Sequence, residues 1–141
     1  MTRKDEELLF RDLSSRLPYG VKLLVPSWDE QEMEYIDKVD TLYSINGDKY
    51  IKTANEDYDF SLEDVKPYLF PLSSMTEEQE KELSKLGVSY GEYALHDDTR
   101  GLGIMVEDAH IFFKFCYKHH IDFLGLIKMG SAIDATGKNI Y

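Results

Sequence analysis

Residues 33–53 read MEYIDKVDTLYSINGDKYIKT, and this stretch decides the fold. Met33 to Ile45 is rich in β-branched and aromatic residues, which suit a pleated, half-buried surface. Asn46-Gly47 interrupts it, and that pair favours the positive φ that both central positions of a type I′ turn require. Lys49 to Thr53 then returns as the partner strand. A hairpin is the expectation.

Upstream, Val21 to Val25 alternates as a strand that Pro26 closes. Before it, Lys4 to Leu17 predicts an amphipathic helix: Leu9, Leu13 and Leu17 recur every four residues, and Leu8 and Phe10 widen the stripe. Pro18 and Gly20 end it. Downstream, Asn55 to Asp59 reads as a polar loop and Ser61 to Asp64 as one capped helical turn. Tyr68-Leu69-Phe70 forms a last short strand between Pro67 and Pro71. Short strands with tight turns after one helix predict a small antiparallel sheet or an SH3-like barrel, in which closure hides the edges.

The period changes after Ser73-Ser74. Thr76-Glu77-Glu78-Gln79 is a capping box, and Gly87 is a helix stop. Ser89 to Met105 is irregular, with Gly91, Gly101 and Gly103. Val106 to His120 is the clearest helix, with an apolar face of Ala109, Phe112, Phe113, Cys116 and Tyr117. Its acidic first turn (Glu107, Asp108) and basic last turn (Lys118, His119, His120) both suit the helix dipole. Asp122 caps a short final helix, Phe123 to Met129, ended by Gly130. The fold expected is therefore α+β in a single domain, 1–141. A sheet lobe occupies about 1–72 after its leading helix, and a helical lobe about 73–141.

The 141 residues carry 27 Asp and Glu against 16 Lys and Arg, a net of -11. Such a surface repels a phosphate backbone and argues against direct nucleic-acid binding. Cys116 is the single cysteine, so no intramolecular disulfide forms and a cysteine zinc site is excluded; a reducing, cytoplasmic location is expected. Met1 to Glu7 lacks the apolar stretch of a signal peptide, and no segment approaches the ~18 apolar residues of a membrane span.

Motifs with chemistry are sparse. Cys116 lies among Phe112, Phe113, Phe115 and Tyr117, an apolar setting that keeps a thiol inert. Gly101-Leu102-Gly103 lacks the third glycine of a dinucleotide fingerprint, and Thr136-Gly137-Lys138 is not a phosphate loop. His119 and His120 are adjacent and point about 100° apart on a helix, so they do not share a metal. No catalytic residue, metal ligand or cofactor is assigned. Candidate binding residues are Tyr35, Tyr43 and Tyr50 of the hairpin, with His96, Asp97 and Asp98. The plainer reading of these tyrosines is core packing, and of the His-Asp-Asp run a solvated loop.

Leu17-Pro18-Tyr19-Gly20-Val21, the run from Lys66 to Glu78 (KPYLFPLSSMTEE) and that from Asp122 to Gly130 (DFLGLIKMG) carry a resemblance. They resemble segments of small uncharacterised proteins of gut Bacteroidales, of their phages and of mobile elements. The resemblance implies a phage or mobile-element setting and brings no activity and no functional residues with it. The same segments also have a structural use, as helix ends and connectors.

The charge and the 10 Tyr and 7 Phe fit a non-enzymatic acidic interaction module whose partner is a protein, a basic one in particular. A homodimer that buries aromatics is compatible with the same composition. The alternative is a protein that binds or sequesters a small molecule or nucleotide in a pocket between the two lobes, with the glycines from Gly87 to Gly103 as a flap.

Overall fold

The computed structural model describes residues 1–87 and 106–141. Thr2 caps the first helix, α1 (Arg3–Arg16): its Oγ1 accepts from Asp5 N at 3.1 Å while Asp5 Oδ2 accepts from Thr2 N at 3.2 Å. Leu9 and Leu13 are wholly buried. The helix tightens into a 3-10 turn at Leu17–Tyr19, and Gly20 (φ 68) supplies the left-handed residue that reverses the chain.

Strand β1 (Lys22–Asp29) pairs antiparallel with β2 (Glu34–Ile45), from Lys22 opposite Thr41 to Asp29 opposite Glu34. β1 runs straight through Pro26, where the sequence predicted its end. The reason lies in which way the missing N–H would point. Leu42 N donates to Val21 O at 3.0 Å, so the odd residues of β1 bond β2 and Pro26 faces the other side.

β2 turns back into β3 (Ile51–Thr53), and the hairpin is present. Its turn is not type I′. Lys49 N donates to Asn46 O at 2.9 Å, and the left-handed residue is Lys49 (φ 66), not Gly47. Asn46 Oδ1 accepts from Asp48 N and Tyr50 N, both at 3.0 Å, and this side chain selects a three-residue loop.

A 3-10 turn at Leu62–Asp64, boxed by Ser61 and Asp64, leads into β4 (Lys66–Pro71), which pairs antiparallel with β1. Thr76 caps α2 (Glu77–Lys85), with Oγ1 accepting from Gln79 N at 3.1 Å, and Gly87 (φ 83) follows its end. Helix α3 (Val106–Lys118) precedes two short strands, β5 (Ile121–Asp122) and β6 (Ile133–Asp134), both parallel to β4.

The architecture is α+β. Among the described residues the sheet has six strands in the order β3-β2-β1-β4-β5, with β6 also on β4. It is mixed, not purely antiparallel, and it does not close into a barrel. The expected helix from Phe123 to Met129 is replaced by turns between β5 and β6. Asp122 Oδ1 and Oδ2 accept from Leu126 N at 3.0 Å and Ile127 N at 2.9 Å, and Gly125 takes φ 79, which a helix cannot hold.

Two apolar clusters result. One lies under the sheet, from Leu9, Leu13, Val21, Leu23, Val25 and Ile51 to Leu126 near the far end of the chain. The other joins Leu83 of α2 to Phe112, Phe115 and Cys116 of α3 and to Ile121 and Phe123. Arg16 ties α1 to the end of α3. Its Nη2 donates to Ile121 O at 2.7 Å, and its guanidinium lies 5.3 Å from the Tyr117 ring centroid. Among the described residues no helix is long and apolar enough to cross a membrane.

Candidate functional site

The pairing of β1 with β2 gives the sheet two unlike faces. Successive side chains on a strand alternate. Leu23, Val25 and Ser27 point to the core and are buried. Leu24, Pro26 and Trp28 point the other way, opposite Val39, Asp37 and Tyr35 of β2. This outer face is open: Trp28 is 41% exposed, Val39 45% and Tyr35 66%. Trp28 and Tyr35 meet edge-on, with ring centroids 5.1 Å apart, an arrangement that holds both rings in place at the surface.

At its β4 end the same face is closed. Tyr141 Oη donates to Tyr68 O at 2.6 Å and accepts from Lys22 N at 2.9 Å, bridging β4 to β1 where the strands part. Its ring stacks on His120 at 3.8 Å, and burial pushes its phenol up to about 12. Tyr68 beneath is buried, and burial followed by the Asp37 carboxylate raises its phenol.

Tyr35 and Tyr43 thus share the outer face, although core packing was the plainer expectation for both. They stand eight residues apart on β2, about 26 Å at the usual strand rise. Tyr43 is the extra residue of a bulge, since Leu42 faces Thr53 and Ser44 faces Lys52, and it is 70% exposed. Tyr50 is half exposed but sits apart, in a recess of about 280 Å³ with Glu6, Lys49, Leu62 and Glu63. His96, Asp97 and Asp98 lie outside the described residues, as do the glycines proposed for a flap beyond Gly87.

Asp37 stands on the open face between Tyr35 and Val39. The β1–β2 hairpin, residues 22–45, carries Asp29, Glu30, Glu32, Glu34, Asp37 and Asp40 against Lys22 and Lys38. Asp40 is buried at the hairpin's inner side. Burial pulls its carboxyl up, but the nearby Thr53 hydroxyl and hydrogen bonds from Thr41 N and from Asn55 N and Nδ2 outweigh this and hold it below the usual range.

Cys116, His119 and His120 are engaged in structure. Cys116 is buried, and desolvation drives its thiol far above the reactive range. His119 Nε2 lies 3.0 Å from Glu82 Oε2, while His120 turns inward to Tyr141, so the two diverge. Among the described residues no three of His, Cys, Asp and Glu gather to hold a metal ion. A groove of about 380 Å³ runs between α2 and α3, lined by Glu82, Leu86, His110, Ile111, Lys114 and Phe115, and not by the sheet. No family model, curated protein or solved structure matches this chain.

Trp28 was the residue that sequence reasoning missed. Its signal was available: a strand continued through Pro26 places Trp28 in step with Leu24, on the face opposite Leu23 and Val25.

Proposed function

We propose that this chain is a non-enzymatic interaction module that holds a basic protein on the outer face of β1 and β2. One observation carries the reading: Trp28, Tyr35 and Val39 stand together on an open sheet face with Asp37 among them, on a hairpin rich in carboxylates. Rigid aromatics at a surface supply contact area at little entropic cost, and the surrounding charge steers a partner of opposite sign. The same charge repels nucleic-acid phosphates. A cytoplasmic, phage or mobile-element setting accompanies this reading, supported by the lone buried cysteine and by the segment resemblance.

The test is capture from a bacterial lysate at low and moderate salt, comparing the native chain with a Trp28→Ser/Tyr35→Ser variant. Basic proteins retained by the native chain and lost by the variant support the reading. Retention of the same proteins by both, or of none by either, overturns it.

A further inference from the structure

We propose that the free edge of β2, from Tyr35 to Val39, takes up an extended segment of a partner protein as an added antiparallel strand, with a Lys or Arg of that segment set against Asp37. This rests on the reading of the molecule as an interaction module and names how the partner is gripped.

The edge follows from hydrogen-bond parity. Because Leu42 N donates to Val21 O, the even residues of β2 exchange bonds with β1, and Tyr35, Asp37 and Val39 direct their N–H and C=O groups outward. On that side β3 covers only the upper part of β2. Its last contact is Ala54 N to Thr41 O at 3.0 Å, and Thr41 N is taken by Asp40 Oδ1 at 2.8 Å. Below Thr41, among the described residues, nothing bonds the outward groups of Val39, Asp37 and Tyr35. β2 has 12 residues and β3 three, so an incoming strand would lie in line with β3.

The opposite edge of the same hairpin is treated differently. Beyond the reach of β4, Pro26 O and Trp28 N point outward from β1, and the Tyr58 hydroxyl meets both. It donates to Pro26 O at 3.1 Å and accepts from Trp28 N at 3.2 Å. One edge is sealed by a side chain and the other, among the described residues, is open.

Charge selects the occupant. A second copy is the first alternative, because antiparallel strands pair readily about a twofold axis. Centred on Val39, the copy would collide with β3. Centred on Tyr35, it would run onto Met33, which leaves the strand at φ 53. Centred on Asp37 it would set carboxylate directly opposite carboxylate, and centred on Lys38 ammonium opposite ammonium, both destabilising; centred on Ile36 it would bring Met33, outside the strand, opposite Val39. A cationic residue opposite Asp37, flanked two residues either side by apolar ones against Tyr35 and Val39, satisfies the register centred there.

The probe is a fluorescein-labelled heptapeptide, Thr-Val-Thr-Lys-Thr-Val-Thr, against the same peptide with Glu at its centre. Saturable binding of the Lys peptide, at least tenfold tighter than the Glu peptide, is expected. Amide exchange at Tyr35, Asp37 and Val39 should slow on binding, with Ile36 and Lys38 unchanged. Val39→Pro removes one outward N–H at an edge position that tolerates proline and should abolish binding. Asp37→Lys should reverse the preference toward the Glu peptide, which keeps the test decisive if Val39→Pro unfolds.

Absence of binding, or binding that survives Val39→Pro in a folded protein, overturns the proposal. So does protection of these three amides in the free monomer, meaning the chain covers its own edge, or a concentration-dependent dimer that protects them. Lysate capture separates the two readings. If Val39→Pro captures as the native chain does while Trp28→Ser/Tyr35→Ser does not, the edge proposal fails and the interaction module stands. If no variant captures anything, the module reading fails, and the peptide titration still decides the edge.

Discussion

Arg16 Nε donates to Asp12 Oδ2 at 2.7 Å, and both side chains are wholly buried. Desolvation raises the Asp12 carboxyl above its ordinary range, against the pull of its one partner, the Arg16 guanidinium. Its Oδ1 has no hydrogen-bond partner among the described residues. Arg16 also reaches the carbonyls of Cys116 at 3.4 Å and Ile121 at 2.7 Å, so one side chain joins the leading helix to the last third of the chain.

Arg16→Met should therefore destabilise by about 3–5 kcal/mol, because it leaves a buried carboxylate alone. The double variant Asp12→Leu/Arg16→Met should recover part of this but not all, since the Ile121 carbonyl still loses its donor at a cost of about 1–3 kcal/mol. Urea unfolding of the three proteins checks the order. A double variant no more stable than Arg16→Met would show that the pair itself contributes little.

Stability should fall as pH drops from 6.5 toward 4. Burial, and then the charge of Arg16, hold His120 down at about 4 from an ordinary 6.5. Across that window the unfolded chain binds a proton that the folded chain refuses, so unfolding gains with acid, by about 1–2 kcal/mol after discounting for partial exposure. Above 6.5 this group contributes no slope. His120→Asn suits the left-handed backbone (φ 59) and should lose this pH dependence, which thermal melts of native and variant between pH 4 and 6.5 check.

Tyr58→Phe removes the hydroxyl that serves Pro26 O and Trp28 N. The cost should be about 1 kcal/mol, because water replaces the hydroxyl at this exposed edge. The Trp28 amide should exchange at least tenfold faster, with amides of the β1–β2 ladder unaffected. An unchanged Trp28 rate would mean that the hydroxyl does not guard the edge.

Tyr35→Ser and Tyr43→Ser should each change stability by no more than about 0.5 kcal/mol, since 66% and 70% of these residues already face solvent. Thermal melts check this. Losses of several kcal/mol would return the tyrosines to a packing role.

Much of the fold was legible from local chemistry. The capping boxes at Thr76 and Ser61, the stop at Gly87 and the hairpin around Asn46 all depend on neighbours within a few residues. Errors arose where a longer-range partner decides. Pro26 looked like a terminator because sequence does not say which edge its absent N–H faces. Phe123 to Met129 looked helical because Asp122 resembles a cap; here its carboxylate reaches the fourth and fifth residues instead of the second and third. The buried Asp12–Arg16 pair had a visible signal, since positions 9, 12, 13 and 16 share one helical face and the charges fall inside the leucine stripe. Of the candidate site, residue types were readable but exposure was not. Tyr35 and Tyr43 sit in a strand whose polar and apolar residues do not alternate cleanly, so only the register with β1 assigns their side.

The Tyr58 seal bears on how many molecules can join. A ribbon with two bare margins lengthens without limit, each newcomer offering the next a fresh margin. Here one margin of the hairpin is stoppered by a phenol, so its host side can lengthen in one direction only.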